Sequence, residues 1–403
     1  MSLKRFPHGS TGQHLAAFGA APSPDLHSGR EEGSAGERIF AAPAVRPTVI
    51  LFGRVGDMVM VSALLRYLHQ RYHQPCFLLG AGPWNSPLFA GHSDVARVWS
   101  FPRHAPFFVS RAWWSALWSL HRSDPGPIYV CERQPRQLAR VRRLLALGGV
   151  NPGRCLFIAD AEADGEQHWV DRFLRFGART PPALHASDYP LPLPQRVPGP
   201  HLQVLDSERA DRNEWLHAQG WSGRPVILVQ PGNRRSMSKS RDRWRLLNAD
   251  DKLWPTANWV GLLHRIHAHL PEALLVLCGA PQEGAMLREI RSATGLPALV
   301  VAELPLRRLL ALCEGAHSMV SVDTGPAHAA AALGLPLVVL FGAESQGRWL
   351  PRSPCGSPVL GVGGPPTSSR VDQISVEDVF SAWCALLARM RPRSAEQTAC
   401  EGN

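Results

Sequence analysis

The feature that most constrains this chain is a repeated alternation of short, wholly apolar runs with amphipathic stretches. In the second half the runs PVILVQPG, ALLVLCG, ALVVAE, SMVSVD and PLVVLFG are separated by helix-like segments such as 259–269 and 306–314. In the first half TVILFG, CFLLG and IYVCE alternate with a helix-like segment that carries Met58, Val61, Leu65 and Leu68 and with others at 113–121 and 137–147. Runs with no polar alternation suit strands buried on both faces, and parallel strands need helical crossovers. An α/β protein with parallel sheets is therefore expected. Its 403 residues suffice for two units of ordinary size.

The expected boundaries follow composition. Residues 1–45, rich in Gly, Pro, Ser and Ala without periodicity, read as a disordered tail, and the first unit spans 46–200. The proline-rich stretch TPPALHASDYPLPLPQRVPGP closes it. A linker at 201–222 leads to the second unit, 223–391, which ends in an amphipathic helix at 376–390 before a frayed tail at 392–403. Ligands bind beyond the carboxyl ends of parallel strands, so two such units facing each other would enclose a cleft with one ligand on each wall.

No apolar run approaches the roughly 20 residues of a membrane span, and the N-terminus lacks the sustained apolar core of a secretory signal. A cytoplasmic protein is expected. The eight cysteines show no paired spacing and read as small buried hydrophobes, not a zinc site. The net charge of +10 favours anionic partners: phosphorylated ligands, an acidic membrane surface or nucleic acid. Only three of the 43 basic residues are lysines.

Several polar groups fall where strands end. Asp57 lies in the strand-to-helix turn of LFGRVGDMVMVS, where it suits either a helix cap or a general base facing the cleft. Gly232 and Asn233 end a strand and open a long basic loop. Beyond the loop, Lys252 precedes Trp254-Pro255 and a helix, as a solvated loop lysine or a phosphate ligand. Gln282 and Glu283 follow ALLVLCG; the carboxylate suits a ribose diol or a helix start. In VSVDTGPAHAAAALGLPLVVLFG, Asp323 ends a strand, Thr324 and Gly325 begin a helix, and His328 lies on its first turn, an arrangement that serves as an anion site or an ordinary cap. Arg136, Arg140 and Arg143 share one helical face, a solvated row or an anion-binding wall; between 101 and 154 nine arginines face two carboxylates.

Four segments, GRVGDMVMVSALLRYL, QPGN leading to DDKLWPTANW, GAPQE and SVDTGPAHAAAALGLPLVVLFG, together resemble glycosyltransferase family 9, the lipopolysaccharide heptosyltransferase family, in that family's order. The resemblance runs from about 49 to 380 and is weaker from 103 to 217, where HWVDRFLRFG is also similar. It implies the GT-B fold, two facing Rossmann-like domains with the acceptor on the first and a nucleotide-sugar on the second. It implies Asp57, beside Gly56, as catalytic base. Lys252 would hold donor phosphate, Glu283 the ribose, Leu304 the adenine, Asp323 the sugar, and Thr324, Gly325 and His328 the diphosphate. The implied reaction is inverting transfer of heptose from ADP-heptose to an anionic glycan or lipid-linked acceptor, with Arg136, Arg140 and Arg143 on the acceptor side. Peripheral contact with the inner membrane is implied too; nucleic acid and a metal are not, and the chain has no Asp-x-Asp motif. The loop at 233–251 is longer and more basic than the family pattern, which leaves Asn233, Ser236 or Asn248 to supply its hydroxyl or amide contact. A nucleotide-sugar epimerase or hydrolase of the same fold, or a non-catalytic glycan-binding relative, would carry the same residues.

Overall fold

The computed structural model describes residues 44–102, 111–122, 126–161, 165–194, 198–233, 236, 251–296 and 299–390. The expected tail up to 43, most of the basic loop with Asn248, and the C-terminal end from 391 lie outside them.

Two parallel sheets are present. The first has five strands, β1 (Thr48–Leu51), β2 (Cys76–Ala81), β3 (Val95–Phe101), β4 (Ile128–Val130) and β5 (Cys155–Phe157), in the order β3-β2-β1-β4-β5. The second has six, β6 (Val226–Gln230), β7 (Leu274–Gly279), β8 (Leu299–Glu303), β9 (Ser318–Val322), β10 (Leu337–Phe341) and β11 (Val359–Gly363), in the order β8-β7-β6-β9-β10-β11. Both orders reverse beside the first strand of the sheet. This is the Rossmann arrangement, and it opens a crevice past the carboxyl ends of β1 and β4 in one half, and of β6 and β9 in the other.

The helices are α1 (Val55–Tyr72), α2 (Asn85–Leu88), α3 (Arg111–Arg122), α4 (Pro135–Leu147), α5 (Trp169–Gly177), α6 (Asp206–Ala218), α7 (Thr256–His269), α8 (Gly284–Thr294), α9 (Leu306–Gly315), α10 (Gly325–Ala332), α11 (Gln346–Trp349) and α12 (Val376–Arg389). Alternate residues of each strand serve opposite layers. In β1, Val49 and Leu51 pack with Met58 and Leu65 of α1 and Phe173 of α5. Ile50 points the other way, into a layer with Trp113 and Leu117 of α3 and Val141 and Leu144 of α4. In the second half α7, α8 and α12 cover one face, while α9 and α10 cover the other.

The alanine-rich α10 joins the halves. Ala329 and Ala332 pack into the first half's core, while Ala327, Ala330 and Ala331 pack into the second's. Only small side chains fit between two sheets on a helix buried on both sides, which explains an apolar helix of eight residues.

Three strands not foreseen, β3, β5 and β11, are all sheet edges. They are short, carry a charge, or contain glycine, so the apolar-run signal misses them. The segment 201–222 contains a 13-residue helix, α6, none of whose residues is buried. Ion pairs hold it to α9: Arg209–Glu314 at 2.8 Å, Asp211–Arg308 at 2.9 Å, and Glu208–Arg307. The expected tail at 1–45 is also too long at its end, because Val45 lies in the first core.

Candidate active site

The predicted groups of the second half converge past the ends of β6, β7 and β9. Glu283 is 3% exposed, and it lies so close to Gly232 that a Cβ there would stand 1.9 Å from its carboxylate. Only glycine fits beside it. The carboxylate accepts the Ala280 N–H at 2.9 Å and sits 2.5 Å from the Ser236 hydroxyl, which also accepts the Asn233 N–H at 2.7 Å. Burial raises the Glu283 carboxyl above its ordinary value, against the pull of these hydrogen bonds. Ser236, at the edge of the described part of the basic loop, thus ties Asn233 to Glu283. Leu304 stands at the end of β8, half-buried, its N–H bonded to the Gly279 carbonyl at 3.2 Å.

Lys252 does not serve the start of its own helix, since Pro255 occupies the N-cap and α7 begins at Thr256. It reaches across to the end of β9, where its ammonium lies 2.5 Å from the Asp323 carboxylate and 3.2 Å from the Asp323 carbonyl. Asp251 fixes that reach: its carboxylate accepts the Ala343 N–H at 3.0 Å and its carbonyl accepts the Val371 N–H at 2.8 Å. Burial alone would raise the Asp323 carboxyl; His328, 3.7 Å away, and Lys252 outweigh it and hold the carboxyl below its ordinary value. Thr324 is the N-cap of α10 in extended conformation, its side chain making no cap bond, and Nδ1 of the buried His328 has no hydrogen-bond partner.

In the first half Asp57 is the third residue of α1, half-buried, and accepts the Arg54 N–H at 2.8 Å. The carboxylate thus acts as part of a cap. The start of α1 meets the start of α10: a Cβ on Gly325 would stand 2.8 Å from that of Val55, and one on Gly56 would stand 3.2 Å from the His328 ring. Two glycines let two helix N-termini, each a source of positive potential, approach within van der Waals contact.

The arginine beside Asp57 is Arg133, which sequence reasoning passed over. Glu132, buried at the end of β4, binds the N–H groups of Phe52, Arg133 and Gln134, and so ties the β1 turn to the turn carrying Arg133. The Arg133 guanidinium stacks over Trp169 at 3.7 Å, with Arg172 over the same ring at 4.7 Å. Desolvation, with repulsion from Arg172 and Arg348, holds Arg133 below its ordinary value despite the attraction of Asp57 and Glu132. Arg136, Arg140 and Arg143 are also exposed, but they lie in a row along α4 and not over Trp169. No sequence signal joins Arg133, Arg172 and Arg348, because they come from three separate segments.

The halves are also strapped together near this cluster. His168 caps α5 by accepting the Val170 N–H at 3.1 Å, and its Nε2–H donates to the Leu350 carbonyl of the second half at 2.8 Å. Burial, then repulsion by Arg352, pushes His168 down to about 4. Arg352 makes a two-pronged pair with Asp171, at 2.5 and 2.8 Å.

Residues 156–364 match the model of glycosyltransferase family 9 (heptosyltransferase), more than half of the chain. The chain belongs to glycosyltransferase family 9. Lipopolysaccharide heptosyltransferase 1 of Salmonella typhimurium is 36% identical over 99 residues, 24% of this chain and 30% of that enzyme. Lipopolysaccharide heptosyltransferase 3 of Escherichia coli is 31% identical over 133 residues, 32% of this chain and 35% of that enzyme. The chain thus matches about a third of the length of these relatives. The E. coli ADP-heptose lps heptosyltransferase II superposes with a TM-score of 0.61 at 22% identity, covering 86% of this chain and 99% of that one, which establishes the shared GT-B fold. Lys252, Glu283, Asp323 and His328 lie inside the span matched by the family model; Asp57 lies before it.

Proposed function

We propose that this family 9 member is an inverting glycosyltransferase that moves heptose from ADP-heptose to an acceptor hydroxyl in lipopolysaccharide core assembly. One observation carries the reading: the start of α1, with Asp57, abuts the start of α10, with Asp323 and His328, while Lys252 reaches into the same place. The choice of ADP-heptose as donor is supported by the likeness to the E. coli ADP-heptose lps heptosyltransferase II. Glu283 is assigned to the ribose and Leu304 to the adenine on the second half, with the diphosphate between Lys252 and the positive end of α10, which opens at Gly325.

The acceptor oxygen attacks the anomeric carbon on the face opposite the diphosphate, and Asp57 takes its proton. The carbon–oxygen bond to the diphosphate breaks, and the electron pair leaves with the phosphate. Lys252 and the α10 start meet the growing charge. Configuration at the anomeric carbon inverts. No metal is assigned to this step, because Lys252 and the α10 start are given the leaving-group charge.

Arg133, Arg172 and Arg348, close enough to repel one another, suit an acceptor carrying a carboxylate or phosphate. A lipid-linked acceptor of that kind would place the enzyme at a membrane face. The test is incubation with ADP-heptose and truncated lipid A-core acceptors, following product and anomeric configuration. Transfer that needs both substrates and inverts the configuration supports the proposal. Conversion of the nucleotide-sugar alone would make the protein an epimerase or hydrolase, and binding without turnover would make it a glycan-binding relative.

A further inference from the structure

The outer layer of the first half has a surface that the transfer chemistry does not use. Trp114 and Trp118 of α3 are 58% and 59% exposed, one helical turn apart. On α4, Arg136, Arg140, Arg143 and Leu147 point away from the buried Val141, Leu144 and Leu145, and Leu147 is 83% exposed. The helices are neighbours: a Cβ on Gly148 would stand 2.8 Å from Leu117, and one on Gly149 would stand 3.5 Å from the His121 ring. Trp114, Trp118 and His121 follow at i, i+4 and i+7, so the tryptophans lie along the edge of α3 that borders α4. Neither helix contains an Asp or Glu. The inner faces of both are sealed by the first sheet, and the layer lies opposite α1, the side that meets the second half.

We infer that this α3–α4 face docks flat on a bilayer containing anionic phospholipids, with Trp114, Trp118 and Leu147 at the headgroup level and Arg136, Arg140 and Arg143 on lipid phosphates. Tryptophan suits the interface because its ring is largely apolar yet carries an N–H donor. An arginine row without intervening carboxylates complements a negatively charged leaflet. The bond is peripheral, since among the described residues no helix is long and apolar enough to cross a membrane. The geometry also serves the active site. Helix α4 begins just past β4, at the end of the sheet where Asp57 sits, so a bilayer along this face runs beside the cleft.

The inference does not depend on the transfer reaction, because binding is read without substrates. The full chain is sedimented with vesicles of phosphatidylcholine alone, or mixed with phosphatidylglycerol. Binding is expected to the mixed vesicles only and to weaken with salt. Arg136→Ser/Arg140→Ser/Arg143→Ser should lower the partition coefficient on the order of 100-fold, from about fivefold per basic residue. Trp114→Ser/Trp118→Ser should lower it about tenfold. Leu193→Ser, at an 89% exposed position outside both helices, should not change it. Unaltered melting temperatures would show the variants folded. Should they melt lower, brominated phospholipid supplies the test on the unaltered chain: it should quench tryptophan fluorescence. Wild-type partition by folded surface variants, absence of quenching, or binding to RNA or polyglutamate with none to vesicles would overturn the assignment.

Discussion

The two walls of the cleft are built on the same plan and held in different ways. On the second half Lys252, Asp323 and His328, and likewise Glu283, Ser236 and Asn233, are cross-linked and mostly buried. On the first half Asp57 is half-buried and held by a single turn, next to guanidiniums that repel each other. A network formed before its ligand arrives, with only His328 Nδ1 among its side chains left unbonded, suits a donor whose nucleotide is always the same. A lightly held carboxylate beside unbalanced positive charge suits a group that takes up a proton next to an anionic partner. Binding and chemistry are thereby assigned to opposite walls, and substitutions should separate them.

The largest expected effect is on the first wall. Asp57→Asn keeps the acceptor for the Arg54 N–H but cannot take a proton, so kcat should fall by about 10² to 10⁴ in steady-state assays. Its melting temperature should hardly move. A near-normal kcat would reduce Asp57 to a helix cap and erase the contrast between the walls.

The strap between the walls should be sensitive to acid. His168 sits at about 4 in the folded protein, below its ordinary value near 6.5 in the unfolded chain. Above 6.5 it is neutral in both states. As pH falls from 6.5 toward 4, the unfolded chain binds a proton that the folded protein refuses, so stability is lost across that window, by up to about 3 kcal/mol. His168→Asn keeps an N-cap but removes this share, so urea midpoints measured between pH 7.5 and 4.5 should fall less steeply than in wild type. Parallel curves would show that His168 does not carry the acid sensitivity.

Next comes Lys252→Ala, which should weaken nucleotide diphosphate binding by about 1.5 to 3 kcal/mol, the range for a charged hydrogen bond. It also removes an ammonium from a buried carboxylate, so the melting temperature should drop as well. Lys252→Arg should recover part of both. The smallest expected effect is that of EDTA: with the leaving-group charge met by Lys252 and α10, turnover should persist. Loss on chelation, restored by magnesium or manganese, would place a metal on the second wall.

The unequal construction of the walls also explains what the sequence made legible. The second wall is read from contiguous motifs, because glycine, proline and a strand end must recur wherever a helix start approaches a ligand. Gly232, Glu283, Asp323 and Thr324 stand out for that reason. The interlocked strands were legible as apolar runs, whereas the edge strands β3, β5 and β11 were not, since an edge does not need a wholly apolar sequence. Helix α6 was hidden because it buries no residue fully: Trp215 and Leu216 pack only in part on the second core, and ion pairs to α9 supply the rest of its hold. Arg133, Arg172 and Arg348 were invisible for a further reason: Arg133 and Arg172 come from separate segments to one ring, Trp169, Arg348 joins them from the other half, and each alone resembles a solvated arginine. Sequence singled out Arg136, Arg140 and Arg143 by their shared helical face, a local property, and could not tell which side of the sheet that face would occupy.

The separation of binding from chemistry can be tested most directly by titrating ADP calorimetrically into wild type, Asp57→Asn and Lys252→Ala under identical conditions. The account predicts wild-type affinity for Asp57→Asn and a loss of about tenfold or more for Lys252→Ala. Equal weakening in both variants, or wild-type affinity in Lys252→Ala, would contradict the assignment of donor binding to the second wall and proton removal to the first.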